Sequence, residues 1–383
     1  MPRVGVIFGG RSGEHEVSLA SAASIIAALE RRGHEVVPIG IARDGRWVVG
    51  GDPMGALAEQ ARGALPSGDD TGSVKKALAD RAESVRGAAS TSLVRSEPAG
   101  SVPSELRQGL DVVFIALHGP YGEDGTIQGL LELADIPYVG AGVLGSAAGM
   151  DKDIMKSLFR AAGLPIVKHV TFLRGAWEDE PKKVHKFVEK NLKYPVFVKP
   201  ANLGSSVGIS KAHNREELGP AIEEAAKFDR KIVIEESVGG KKHKAREIEC
   251  SVLGNDKPQA SVPGEIVPCK EFYDYNAKYL EEGSTLVIPA KLTRSEAKKV
   301  QELAIRAFQA VDCSGLARVD FLMDAKTRKI YLNEINTMPG FTSISMYPKL
   351  WAASGVSYPE LIGRLIQLGL ERHQDKKKNQ YSR

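Results

Sequence analysis

Hydrophobic positions change period within the first fifty residues. Val4 to Phe8 is an apolar run of strand length, and Gly9-Gly10-Arg11-Ser12-Gly13 interrupts it. A helical spacing then runs through Leu19, Ile26 and Leu29 to Gly33, and Val36 to Ile41 restarts a strand. Strand, glycine turn, helix, strand is the order of an α/β unit, in which ligands gather at the carboxyl ends of the strands. From Gly50 to Gly109 the chain is rich in Gly, Ala, Ser and charge, with weak periodicity only in Ser73 to Val85, which predicts an insertion.

A second strand, Asp111 to Leu117, leads through His118 to Gly125 into a helix expected over Thr126 to Ala134. The helix Asp151 to Ala162 stops at Gly163 with Pro165 beyond it. Strand segments follow at Tyr194 to Lys199, Gly208 to Lys211 and Lys231 to Glu235. Beyond Gly239 come Glu247 to Leu253, a long loop around Tyr273 to Tyr279, a helix Ser295 to Val311, strands Ala317 to Met323 and Lys329 to Asn336, and a last helix Tyr358 to His373. The pattern divides the chain into 1–145 (insertion 50–109), 146–238 and 239–374 (loop 270–284), with 375–383 as a disordered basic tail. The first part reads as α/β and the C-terminal half as α+β. A length of 383 residues agrees with two or three domains at about 150 residues each.

Charge adds little. The 52 basic and 48 acidic residues leave +4, and the excess is local: Lys182, Lys183 and Lys186; Lys241, Lys242, Lys244 and Arg246; Lys376 to Lys378. Aromatic residues are not interleaved with these lysines, so they read as solvated faces and a frayed end, and no nucleic-acid partner is expected. No stretch reaches the roughly 20 apolar residues of a membrane span, and Met1 to Phe8 lacks the basic leader of a signal peptide. Cys250, Cys269 and Cys313 are odd in number and lack C-x-x-C spacing, which suits reduced packing thiols in a cytoplasm.

Two segments carry chemistry. Lys199-Pro200-Ala201-Asn202-Leu203-Gly204-Ser205-Ser206-Val207-Gly208 puts a lysine at a strand end before a loop of small residues, where backbone amides can approach phosphate oxygens. It is no Walker loop, because Gly240-Lys241 is followed by lysine. Gly204 to Gly208 also matches G-x-S-x-G, the hydrolase nucleophile elbow, which would make Ser206 a nucleophile. That mechanism needs a later acid and histidine, yet His213 is only seven residues on, His243 lies among lysines and His373 adjoins the tail. The second segment is a hairpin. If it is centred near Thr327, Asp320 faces Glu334 and Arg318 faces Asn336, all on one side. Two carboxylates and an amide oxygen suit Mg²⁺ carrying substrate phosphate.

The ordered motifs resemble the D-alanine:D-alanine ligase family of the ATP-grasp superfamily over nearly the whole chain. The matching residues are Gly9 to Ser18, His118-Gly119 with Gly122 to Thr126, Met150-Asp151-Lys152, Lys199 to Gly208, Tyr273 to Tyr279, Arg318-Val319-Asp320 and Asn333 to Thr342. The resemblance implies an ATP-grasp fold behind a Rossmann-like N-terminal preATP-grasp domain. It also implies ATP-dependent joining of two D-alanines through an acyl phosphate for peptidoglycan synthesis, in a cytoplasmic homodimer. Glu14 would hold the first ammonium beside His118, with Ser205 and Tyr279 bonded to Glu14. Lys152, Lys199 and Lys278 would contact the phosphates, with Ser205 and Ser206 in the phosphate loop. Asp320, Glu334 and Asn336 would bind two magnesium ions, which manganese can replace. Arg318 and the Gly340 amide would stabilise the oxyanion, and Ser345 and Met346 the second carboxylate. Glu235, Glu236 and Val238 would meet the adenine and Glu247 the ribose. A D-serine- or D-lactate-using ligase and a silent ATP-binding protein are the alternatives beside the hydrolase.

Overall fold

The computed structural model describes residues 1–62, 94–98, 102–107, 109–240, 244–267, 285–342 and 345–381. Most of the insertion, the loop with Lys278 and Tyr279, the residues 241–243 and Cys269 lie outside the described residues. Among the described residues no helix is long and apolar enough to cross a membrane.

The first sheet contains β1 (Arg3–Gly9), β2 (Glu35–Ile41), β3 (Trp47–Val49), β4 (Arg95–Glu97) and β5 (Val112–Ile115), in the order β4-β3-β2-β1-β5. Strand β1 is parallel to both β2 and β5, while β3 pairs antiparallel with β2 and β4. A strand with parallel neighbours on both sides is covered on both faces, which is why Val4, Val6, Ile7 and Phe8 are all buried without alternation. Helices α1 (His15–Arg31), α2 (Pro53–Arg62), α3 (Ser104–Arg107) and α4 (Thr126–Leu133) accompany this sheet.

Helices α5 (Val143–Met150) and α6 (Lys152–Ala161) lead into a second, antiparallel sheet of β6 (His169–Leu173), β7 (Val196–Pro200), β8 (Ser210–Ala212) and β9 (Lys231–Glu236), ordered β6-β9-β7-β8. Helices α7 (Arg174–Asp179), α8 (Pro181–Asn191) and α9 (Arg215–Ala226) belong to it. The third sheet has β10 (Ala245–Gly254), β11 (Gln259–Ala260), β12 (Gly264–Val267), β13 (Thr285–Val287), β14 (Gly315–Asp324) and β15 (Ile330–Asn336). Its order is β13-β12-β10-β14-β15, with β11 on β10. Helices α10 (Arg294–Ala310), α11 (Met346–Ala353) and α12 (Tyr358–Lys376) complete the chain. Thr293 and Glu296 close a reciprocal capping box at the start of α10.

Several details depart from the sequence pattern. Helix α5 runs through residue 145, where composition alone ended the first domain. Helix α12 continues to Lys376, which pairs with Glu132, so the stretch from 375 begins as helix instead of disordered tail. The hairpin of β14 and β15 keeps the expected register at Arg318↔Asn336 and Asp320↔Glu334. It then shifts by one, so that Phe321 faces Leu332 and Asn333 is the extra residue of a bulge.

Among the described residues, the contacts between sheets include an aromatic cluster and a buried ion-pair group. The ring of Phe341 packs against Phe114 on β5, Tyr347 on α11 and Tyr358 on α12, each with centroids 5.6 Å apart. Between the second and third sheets, Glu235 at the end of β9 is buried against two lysines. One oxygen lies 3.1 Å from Lys156 of α6, and the other accepts a 2.9 Å bond from Lys199 of β7. Lys156 also donates to the Asn333 carbonyl at 3.0 Å, and Lys199 to the Asn333 side-chain oxygen at 3.4 Å. Burial alone would raise the Glu235 pKa, but the charges and hydrogen bonds of Lys156 and Lys199 outweigh it and hold it at about 2.

Phe341→Ala is expected to cost about 3 to 5 kcal/mol in denaturant unfolding, because it empties the joint between two sheets. A loss below about 1 kcal/mol would show that the joint closes over the gap. Glu235 makes a pH-dependent prediction as well. Its folded pKa lies below the ordinary value of 4.5, so its contribution is full above 4.5 and is lost as pH falls toward 2. The stability difference between the parent and Glu235→Gln should therefore be largest near neutrality and shrink on acidification below 4.5. A difference unchanged down to pH of about 3 would count against the ion pairs.

Candidate functional site

The three sheets enclose a cavity of about 750 Å³. Its walls include Glu14, Lys152, Lys199, Ser205, Ser206, Glu235, Glu236 and Val238, together with Glu247, Arg318, Asp320, Glu334 and Asn336 of the third sheet and Gly340, Ser345 and Met346 beyond it. Residues more than 300 positions apart in the sequence thus face one space. Lys278 and Tyr279 lie outside the described residues.

At the first-sheet end, Glu14 precedes α1 and is buried, and its carboxylate accepts from the Ser205 hydroxyl. Ser205 and Ser206 have φ of 51° and 60°, a left-handed backbone that costs a side-chain-bearing residue of order 1 kcal/mol each. Their loop joins two antiparallel strands, β7 and β8, whereas a nucleophile elbow joins a strand to a helix, so the G-x-S-x-G match is a coincidence of spelling. Gly119 lies against Glu14: with φ at 70°, a Cβ there would come within 2.6 Å of the Glu14 carboxylate. Only glycine fits.

His118 does not line this cavity. It lines a smaller apolar hollow beside Trp47 and Tyr121 and is 4% exposed. Its Nδ1 lies 3.0 Å from the Met338 carbonyl, which can only accept, so that nitrogen donates. Its Nε2 is 3.0 Å from the Ser21 hydroxyl, which accepts from the Phe341 amide at 3.2 Å. Burial opposes a charge on the ring, but the hydrogen bond and charge of Glu123, with Glu14 beyond, raise its pKa above the ordinary value. His118 therefore ties the loop after β5 to the segment that carries Gly340.

Lys152 opens α6 just after Asp151, whose carboxylate caps the helix at the Asp153 and Ile154 amides. Its ammonium donates to the Leu203 carbonyl at 2.6 Å, at the foot of the small-residue loop, and burial lowers its pKa. Burial acts against Lys199 too, but Glu235 and Glu334 raise its pKa, so it is held as a cation. The Glu235 carboxylate, expected at an adenine edge, is instead engaged by the two lysines. The Glu236 side chain accepts from the Lys193 amide at 2.9 Å.

On the third sheet, Glu249, Asp320 and Glu334 stand opposite one another across β10, β14 and β15. Arg318 grips both oxygens of Asp320, at 2.8 and 2.7 Å, and its Nε is 3.0 Å from Glu249. Asn336 turns its amide oxygen toward the Met338 amide at 3.1 Å. Among the described residues no three Asp, Glu, His or Cys side chains form a chelating group. The donor set is two carboxylates and an amide oxygen, hard ligands that fit Mg²⁺ with room left for phosphate. Ser345 precedes α11, and its hydroxyl is 2.7 Å from that of Thr342. Ser345 makes no side-chain cap bond to the start of α11, and a helix start suits a carboxylate.

Sequence reasoning missed Glu123, Lys156, Glu249 and Asn333. Lys156 follows Lys152 by one helical turn, and Glu249 follows Glu247 by one strand repeat, so both were within reach of periodicity. Glu123 stands inside the motif that supplied His118. Asn333 comes to the cavity only through the bulge, which period two assigns to the opposite face.

Family models described as D-ala D-ala ligase N-terminus and C-terminus match residues 3–141 and 158–367. A D-alanine–D-alanine ligase of Natranaerobius thermophilus is 50% identical over 98% of this chain and 97% of its own. One of Heliobacterium modesticaldum is 51% identical over 98% and 96%. The solved D-alanine-D-alanine ligase from Coxiella burnetii superposes with a TM-score of 0.77 at 35% identity, over 98% of this chain and 96% of that one. A D-Ala:D-Ser ligase from Enterococcus faecalis superposes with a TM-score of 0.76 at 34% identity, over 96% and 99%. With both halves matched and these residues facing one cavity, the chain belongs to the D-alanine–D-alanine ligase family.

Proposed function

We propose that the protein joins two D-alanine molecules into D-alanyl-D-alanine, with ATP as co-substrate, as a step of peptidoglycan precursor synthesis. The observation that carries the reading is the meeting, in one cavity, of the Glu14–Ser205 pair with Arg318, Asp320, Glu334 and Asn336. The chemistry follows from the ends of that cavity. A carboxylate is a poor electrophile until one of its oxygens carries a leaving group. In the first step an oxygen of the first D-alanine attacks the γ-phosphorus of ATP and the bond to ADP breaks, leaving an acyl phosphate. In the second step the amine of the second D-alanine attacks the acyl carbon, and inorganic phosphate departs.

Glu14, held by Ser205, receives the first ammonium, while His118 fixes the loop behind it. Lys152 and Lys199 neutralise the phosphates. Arg318 and the Gly340 amide face the oxyanion, whose charge develops only in the transition state. The start of α11, at Ser345 and Met346, receives the second carboxylate. Asp320, Glu334 and Asn336 would hold two magnesium ions, whose chemistry is to neutralise phosphate charge. The family resemblance adds Lys278 as a γ-phosphate contact and Tyr279 as a partner of Glu14. Adenine contacts at Glu236 and Val238, ribose contact at Glu247, a homodimer and a cytoplasmic place belong to the same proposal.

Phosphate release measured across D-alanine, L-alanine, D-serine and D-lactate tests it. D-alanine should support the fastest turnover. Lys199→Ala and Glu334→Ala should each lower kcat by at least about a hundredfold. Glu14→Gln should raise the KM for the first D-alanine by about tenfold or more. Near-parental turnover in Glu334→Ala, or release indifferent to D-alanine, would refute the assignment.

A further inference from the structure

Three carboxylates stand in one cross-strand row: Glu249 on β10, Asp320 on β14 and Glu334 on β15. Neighbouring strands lie only about 4.8 Å apart, and like charges directly opposite repel, so the row requires positive charge in both of its gaps. One gap is already filled. Arg318, two residues before Asp320 and on the same face, places its guanidinium between Glu249 and Asp320. It occupies both Asp320 oxygens and also reaches Glu249 at 3.0 Å. The other gap, between Asp320 and Glu334, is the one proposed for the divalent cation.

This arrangement sets a conflict. A metal needs an Asp320 oxygen that Arg318 holds, and Arg318 has its own task at the oxyanion. Glu249 offers the guanidinium a second anion from the opposite side. It is 6% exposed, so its attraction is little screened by solvent.

We infer that Glu249 is a positioning residue: it draws Arg318 off Asp320 as the cation arrives, freeing the aspartate for the metal and holding the arginine toward the reacting centre. Resting on the proposed function, the inference assigns Glu249 no contact with substrate. Arg318 is thereby a competitor of the metal in the empty enzyme, and Glu249 weakens that competition.

The experiment is a Mn²⁺ titration of the full chain with a non-hydrolysable ATP analogue, followed by electron paramagnetic resonance, on the four members of a Glu249→Gln and Arg318→Met cycle. Glu249→Gln should raise the Mn²⁺ dissociation constant about tenfold when Arg318 is present and less than about twofold when it is methionine. Glu249→Asp, which keeps the charge with a shorter reach, should fall between the parent and Glu249→Gln. In turnover, Glu249→Gln should lower kcat about tenfold and leave the KM for the first D-alanine within about twofold. Equal effects in both backgrounds would overturn the inference, since Glu249 would then act as a distant charge and not through Arg318. Failure of Mn²⁺ to bind the parent protein would instead overturn the metal reading beneath it.

Discussion

A carboxylate buried between two lysines holds the second sheet of this molecule to the third. Glu235 takes Lys156 on one oxygen and Lys199 on the other, and both lysines reach on to Asn333 of the third sheet. None of these charges could be buried alone, because desolvating an unpaired ion costs more than a marginally stable fold can bear. The pairing is therefore mutual: each lysine is kept charged by the glutamate, and the glutamate ionised by the lysines. What the fold gains is geometry, for the same contacts set the distance between the Lys199 ammonium on β7 and the carboxylate of Glu334 beside Asn333 on β15.

The row of carboxylates on the third sheet follows the same logic with the opposite sign. There the excess is negative, and Arg318 at Asp320 and Glu249, with Lys199 near Glu334, offsets part of it from within the protein. The divalent cation proposed for this row would answer a charge spacing that the sheet enforces and water cannot relax. The His118 link does for the first sheet what Glu235 does for the second. Through Ser21 and Met338 it fixes the loop behind Glu14 to the backbone that bears Gly340. Each sheet thus contributes one charged or hydrogen-bonded group to a neighbour, and the cavity takes its shape from those ties.

Much of this was legible in the sequence wherever periodicity and local chemistry point the same way. The β1–α1–β2 opening reads directly, since an apolar run, a glycine turn and a 3.6-residue repeat leave few alternatives. The pairing of Asp320 with Glu334 and of Arg318 with Asn336 follows once the hairpin is centred near Thr327, and alternation puts them on one face. Alternation fails at the next residue, because the bulge at Asn333 inserts a residue that no composition signal marks. The buried role of Glu235 was hidden for a different reason: its partners come from α6 and β7, and long-range ion pairs have no sequence spacing. Helix α5 escaped because its small residues, including Gly145, Ser146 and Gly149, carry little helical propensity and form a helix only when packed against their surroundings.

The loop from Asn202 to Gly208 shows why sequence motifs need a fold before they have meaning. Its Gly-x-Ser-x-Gly spelling is shared with enzymes in which the serine attacks, and the two left-handed serines even suggest comparable strain. Strain has no direction of its own, and the surrounding strands decide what it serves. Between β7 and β8 it turns the Ser205 hydroxyl toward Glu14, in the turn between β1 and α1, and leaves the loop's Leu203 carbonyl to Lys152. The serine at the centre of that spelling is Ser206, whereas the hydroxyl that donates to Glu14 belongs to its neighbour Ser205, which thereby orients the carboxylate. The same backbone conformation that exposes a hydroxyl for attack elsewhere here fastens one wall of the cavity to another.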